Sequence, residues 1–343
     1  MNSIFNYVLM VMIALQVQIG TAQESNSTSP IPSNSEPKEE HKSLLDNKRD
    51  FESMHSLGYR PKQNSMSIDF FLQNSNSDYS VFLQSTPSSK LIKLKDSKDT
   101  SSYLSSSLQY GIDDKTRVGL TLKNVVNSNS KTTYTTEAKA SGYIDYSVSS
   151  KGHKEPSVFI DRTLKETNDL RVYGFLSYSP KIGKSSDSNV LRGGAATDLG
   201  FELIKGFEKT EFLFGIGYKN YGIRSYEEGD SKSETKDGND LRFSVGLNLK
   251  TTKDSSLVVF INRNMTDFTT VQYENSTTPT EVDSSSQTSY ILGYQFSMAE
   301  DLLFQIGYAG FIVDEIVVRS GAKTTVIDPF TGGGISFGMK MSF

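Results

Sequence analysis

From Ser65 onward the chain is built from runs of about ten residues in which apolar and polar side chains alternate, the length that a tilted membrane strand needs. Leu241, Phe243, Val245, Leu247 and Leu249 alternate with Arg242, Ser244, Gly246, Asn248 and Lys250. Val118, Leu120 and Leu122 alternate in the same way with Arg117, Gly119, Thr121 and Lys123. Leu199, Phe201 and Leu203 alternate with Asp198, Gly200 and Glu202; Phe212, Phe214, Ile216 and Tyr218 share a face opposite Glu211, Gly215, Gly217 and Lys219. A period of two is the geometry of a strand with one apolar and one polar face. Periodicity alone does not say whether the apolar face meets a protein core or a lipid chain.

Three further features choose the lipid. Short turns at 113–116, 205–209, 251–255 and 299–301 alternate with long polar loops at 180–189, 224–239, 265–285 and 312–328, which predicts one tight rim and one looped rim. Aromatic residues stand near strand ends, at Tyr110, Tyr178, Phe212, Tyr218, Tyr290, Phe296 and Phe304, as interface girdles do. The last residues alternate too. Ile335, Phe337, Met339, Met341 and Phe343 share one face against Ser336, Gly338, Lys340 and Ser342, and they are expected to form the terminal strand read by barrel-assembly machinery. The expected fold is all-β: an antiparallel transmembrane β-barrel over 64–343 in a bacterial outer membrane. Strands are predicted near 65–73, 102–112, 117–126, 133–149, 169–179, 190–204, 210–223, 240–250, 256–264, 286–298, 302–312 and 329–343, about twelve in all. A further hairpin within 74–100 gives the alternative of fourteen. The stretch 150–168 reads as a periplasmic connection.

The N-terminus differs in kind. An apolar run from Tyr7 to Leu15 followed by Gly20-Thr21-Ala22 predicts a cleaved signal peptide over residues 1–22. Residues 23–63 are rich in Ser, Asn, Pro and Glu and read as a polar tether. Sparse helical spacing of Leu44, Leu45, Phe51, Met54 and Leu57 leaves a plug entering the barrel as the alternative.

Candidate chemistry is sparse. Cysteine is absent, which excludes disulfides and thiolate sites, and a net charge of −4 carries no basic stripe for nucleic acid. The three histidines, His41, His55 and His153, fall before the barrel or in the expected periplasmic connection, so none is placed as a catalytic base and no enzyme is expected. No cofactor or metal site is expected either. The polar face supplies the lumen-facing candidates: Arg117, Lys123, Asp145, Arg171, Asp198, Glu202, Arg242, Lys250, Gln305 and Lys340. Both signs are present, so pairing across a narrow barrel and lining of a polar conduit are both open.

Local patterns add a resemblance. Leu108-Gln109-Tyr110-Gly111-Ile112-Asp113-Asp114 with Arg117-Val118-Gly119-Leu120, Gly142-Tyr143-Ile144-Asp145-Tyr146, and Ser179-Pro180-Lys181-Ile182-Gly183 resemble motifs of the twelve-stranded transporter-like family named for the meta-pathway of phenol degradation. The resemblance spans about 100–343 in outline. Departures at Lys181-Ile182 and at 150–168 bear on any shared substrate. It implies passive passage of a small, hydrophobic or aromatic molecule; the alternative is a structural or surface-interaction barrel with an occluded lumen. Expected partners are outer-membrane lipid, lipopolysaccharide, the assembly machinery and a small solute. If the terminal strand is an assembly signal, Phe343→Ser lowers the amount of folded barrel in the outer membrane, read from heat-modifiable migration of membrane fractions. Normal levels would remove that role.

Overall fold

Hydrogen bonding between neighbouring alternating strands closes the chain on itself. The computed structural model describes residues 54, 56, 57, 59–186 and 190–343; the signal peptide and most of the 23–63 segment lie outside the described residues. The described strands are β1 (Met66–Gln84), β2 (Ile92–Gly111), β3 (Thr116–Tyr134), β4 (Tyr146–His153), β5 (Ser157–Glu166), β6 (Leu170–Ser179), β7 (Ala196–Phe207), β8 (Thr210–Tyr221), β9 (Arg224–Glu228) and β10 (Ser231–Lys236). They continue with β11 (Asp240–Thr252), β12 (Ser255–Thr266), β13 (Thr269–Tyr273), β14 (Thr280–Val282), β15 (Ser285–Ala299), β16 (Leu302–Val313), β17 (Ile316–Ser320), β18 (Lys323–Ile327) and β19 (Phe330–Ser342). One short helix, α1 (Thr136–Ala140), joins β3 to β4.

Twelve antiparallel staves form the barrel: β1, β2, β3, β4 with β5, β6, β7, β8, β11, β12, β15, β16 and β19. β1 pairs with β19 from Ser67↔Ser342 to Ser77↔Gly332, so the sheet has no free edge at this level. The remaining strands form hairpins on the looped rim. β10 pairs with β13, β14 with β17 and β18 with β1, so they continue part of the wall beyond the staves.

The two faces of the wall are chemically opposite. Phe201 (55% exposed), Phe214 (54%), Val245 (45%) and Leu292 (50%) point outward with nothing packed over them. A continuous apolar surface of this kind is what hydrocarbon covers. The inward face carries Ser67, Glu211, Asn248, Ser256 and Ser336, all at 0% exposure. Aromatic rings fold inward over small residues: a Cβ at Gly119 would collide with the Phe159 ring, and one at Gly200 would lie 2.7 Å from the Phe175 ring. Glycine at those positions makes room for rings on the neighbouring stave.

Three expectations need correction. Residues 133–149 are not one strand: β3 runs to Tyr134, and 135–145 is a connection containing α1 and Gly142 at φ +93°. The missing stave is 146–166, which reads from sequence as a periplasmic connection because Lys154, Glu155 and Pro156 interrupt its alternation between β4 and β5. His153 therefore lies in a stave, exposed and bonded to Asn124. The 74–100 region adds no stave; it is the upper half of β1 and β2, paired from Asn74↔Ser102 to Leu83↔Ile92. Its side chains are polar because strands above the bilayer need no apolar face. For the same reason the polar segments 224–239, 265–285 and 312–328 pair as hairpins although they read as loops.

Val245 lies mid-stave on the outward face. Val245→Arg is expected to cost about 2–4 kcal/mol of unfolding free energy at the bilayer midplane, measured by denaturant titration in lipid vesicles. A silent Val245→Arg alongside a severe Ser244→Arg would invert the assignment of faces.

Candidate functional site

The lumen is entered from the short-turn rim by the chain itself, ahead of β1. Glu211, one residue into β8, is fully buried and turns its carboxylate inward. Ser56 Oγ donates to it at 2.9 Å, the Leu57 amide at 2.8 Å and Asn248 Nδ2 at 3.1 Å. Three donors on one buried carboxylate compensate its lost hydration. Leu57 packs against the inward cluster of Tyr173, Ile204 and Leu213, with Phe260 beside it. Met54 and Tyr59 pack with Leu303, and the Tyr59 hydroxyl donates to Ser342 Oγ at 2.8 Å. The Arg60 guanidinium lies 3.8 Å from the centroid of the Tyr173 ring, and its Nε donates to Asp161 at 3.3 Å.

Above this anchored segment the inward charges are cross-paired. Arg117 bonds both Asp161 and Gln109, and Arg60 Nη2 lies 4.0 Å from Glu202. Arg242 pairs with Asp198 at 2.9 Å over the Phe175 ring. Lys340 stands 3.9 Å from Asp69 and 5.0 Å from the Tyr59 ring centroid. Gln295 donates to Gln305 at 3.0 Å. Near the short-turn rim Arg171 pairs with Glu166 at 2.6 Å, and the Lys250 amide donates to the Lys209 carbonyl at 2.8 Å. Lys123 faces inward from β3 with no ionic partner among the described residues.

Asp145 departs from the expectation. It lies outside the staves, in the exposed connection after α1, where Lys139 Nζ and the Tyr134 amide each donate to it at 2.8 Å. Those two bonds, the lysine first, hold its carboxyl below the usual range. Its neighbours Tyr134 and Tyr143 stack at 5.0 Å.

At the looped rim a second bonded cluster is built around Arg192. Its guanidinium donates to the Gly194 and Ala195 carbonyls at 2.8 and 2.6 Å, pairs with Asp237 at 2.8 Å and covers the Tyr221 ring at 4.1 Å. The Glu155 carboxylate accepts the amides of Arg192 and Gly193 at 2.7 and 2.6 Å. Gly193 turns the chain here at φ +75°, where an added Cβ would strike the Ser225 carbonyl. Across the wall, Phe330 packs against Tyr79 at 4.8 Å and Phe311 at 6.2 Å, giving this end an apolar patch. Apolar grooves between Phe201, Phe214 and Phe243 lie on the outer face of the barrel, where acyl chains pack.

Arg60, Asp161, Glu211 and Arg192 are central here and absent from the sequence-derived candidates. Asp161 carries a legible signal, the alternation of Phe159 and Asp161 with Ile160 and Arg162, hidden because the stretch around it reads as a connection. Arg60 and Arg192 lie outside any alternating run and carry none.

No protein-family model matches the sequence, and no curated protein matches it. Among solved structures, the chain is similar to an outer membrane channel from Pseudomonas putida F1. The TM-score is 0.52 at 11% identity, over 83% of this chain and 97% of that one. It is also similar to a Pseudomonas aeruginosa FadL homologue, with TM-score 0.40, 10% identity and coverage of 81% and 90%. The Escherichia coli outer membrane protease OmpT follows at TM-score 0.37 and 8% identity, over 83% and 98%. At such identities the first likeness speaks to the fold, and with the apolar exterior and closed sheet it gives one conclusion: this chain has the fold of a twelve-stranded bacterial outer-membrane β-barrel.

Proposed function

We propose that the barrel is a passive outer-membrane channel for small molecules, hydrophobic or aromatic ones among them, and not a catalyst. One observation carries the reading: Lys123, placed by its strand register on the inward face, is solvent-exposed. That exposure supports water-accessible space inside the wall at the level of Lys123. A barrel of about twelve strands falls between those filled by their own side chains and wide water-filled porins, which fits a narrow conduit. The ring cluster of Tyr79, Phe311 and Phe330 offers apolar contact at the outer mouth. The outer membrane channel of Pseudomonas putida F1 has the same fold, which supports the reading by analogy.

A second reading rests on the anchored segment itself. Met54, Ser56, Leu57, Tyr59 and Arg60 occupy the short-turn mouth through Glu211, Asp161 and Ser342, as the plug of a structural barrel would. Planar-bilayer recordings separate the two. Removing residues 23–61, or the Glu211→Ala change that deletes three hydrogen bonds to the anchor carboxylate, is expected to raise single-channel conductance or open probability over the full chain. Uptake of small aromatic and aliphatic compounds should rise in cells carrying the barrel. No conductance from any form, with uptake unchanged across the panel, would leave the structural barrel as the function.

A further inference from the structure

Many of the lumen's charges are cross-paired, and a group of lysines in its middle is not. Lys123 on β3, Lys154 between β4 and β5, and Lys219 on β8 make no ion pair among the described residues. Lys154 and Lys219 each lie close enough to Lys123 to repel it. The Tyr103 ring stands between two of them, with Lys123 Nζ 4.7 Å and Lys154 Nζ 5.8 Å from its centroid. Lys219 Nζ lies 5.0 Å from the centroid of the Tyr221 ring.

Carboxylates lie near two of the three, Asp198 and Asp240 by Lys219 and Glu155 by Lys154, but none makes an ion pair with them, and each is hydrogen-bonded to another group. Asp198 is taken by Arg242 at 2.9 Å. Asp240 accepts the Tyr221 hydroxyl at 2.6 Å and the Thr266 hydroxyl at 2.7 Å. Glu155 holds the amides of Arg192 and Gly193. Like charges grouped within the wall repel one another, and an anion that reaches them relieves that repulsion. Sets of inward Lys and Arg are how pores hold anions.

We propose that Lys123, Lys154 and Lys219 form an anion site inside the lumen whose ligand is a small organic carboxylate, its chain or ring lying against Tyr103. The proposal rests on the channel reading for its purpose, since such a site selects what passes, but its binding test does not need conduction. The carboxylate answers the three ammonium groups, and the ring face of Tyr103 receives the apolar part. A hydrocarbon brings no charge to answer these groups, so among the small molecules that enter, the site favours an amphipathic anion.

Isothermal titration of the purified full-length barrel in detergent with benzoate tests the site, with benzamide as its uncharged counterpart. Benzoate is expected to bind and benzamide not. Lys123→Gln, Lys154→Gln and Lys219→Gln should each weaken benzoate at least tenfold, Lys123→Arg should retain it, and Lys253→Gln in an exposed turn should leave it unchanged. Heat-modifiable migration confirms that each variant is folded. In planar bilayers under a salt gradient the wild type should favour anions, and Lys123→Gln should shift the reversal potential toward cations. Equal binding of benzoate and benzamide, no binding of either, or affinity indifferent to all three lysines would overturn the site. If benzoate binds through the lysines but no form conducts, the site stands and the channel reading falls. If the barrel conducts but benzoate does not bind, the reverse holds.

Discussion

The pairing of β1 with β19 is the constraint from which the rest follows. A strand edge in hydrocarbon leaves its amides and carbonyls without water, at a cost of several kcal/mol per group. Closure removes that cost, and the chain supplies it by bringing Met66 and Phe343 together: each amide donates to the other's carbonyl, at 3.0 and 2.8 Å. Once the ring of staves is closed, every side chain faces either lipid or lumen. The outward residues need only be apolar. All selective chemistry is confined to the inward face.

That confinement sets a second problem, because polar residues facing inward are partly stripped of water. Cross-stave pairing answers it through Arg117 with Asp161, Arg242 with Asp198 and Lys340 beside Asp69. Aromatic rings contribute as well, with Arg117 5.3 Å from the Phe159 centroid and Arg60 3.8 Å from that of Tyr173. These contacts let guanidinium groups sit on aromatic faces while bonding carboxylates at their edges. Among these inward charges, Lys123 makes no ion pair among the described residues and is exposed to solvent.

The two ends are closed by different means. At the short-turn mouth an earlier part of the chain is drawn in by Glu211 and Asp161, so its position depends on charges belonging to three different staves, β5, β7 and β8 when Glu202 is counted. At the looped rim the 190–195 segment is held by Glu155, which sits where the β4–β5 stave is broken by Pro156. The break costs the wall part of its ladder and frees Glu155 to bond loop amides. A regular strand there could not reach them.

Much of the fold was legible because its determinants are local. The alternation of Leu241 to Lys250 and the run from Ile335 to Phe343 follow from a period of two, and with the spacing of short turns they determined the barrel and its two faces, though not the bounds of every stave. Above the bilayer the signal fades: Asn127 to Tyr134 and residues 74–100 are strands without an apolar face, so only pairing with neighbours reveals them. The 146–166 stave is hard to see in the sequence because Lys154-Glu155-Pro156 breaks its pattern, and without that stave Asp145 reads as a lumen residue. Which inward charges meet is decided only by register and closure: Arg60 reaches Asp161 across 101 residues, and Ser56 reaches Glu211 across 155. Alternation tells a side chain which face it occupies, but its height and its partner across the lumen depend on the tilt and stagger of twelve staves at once, which no local run of residues records.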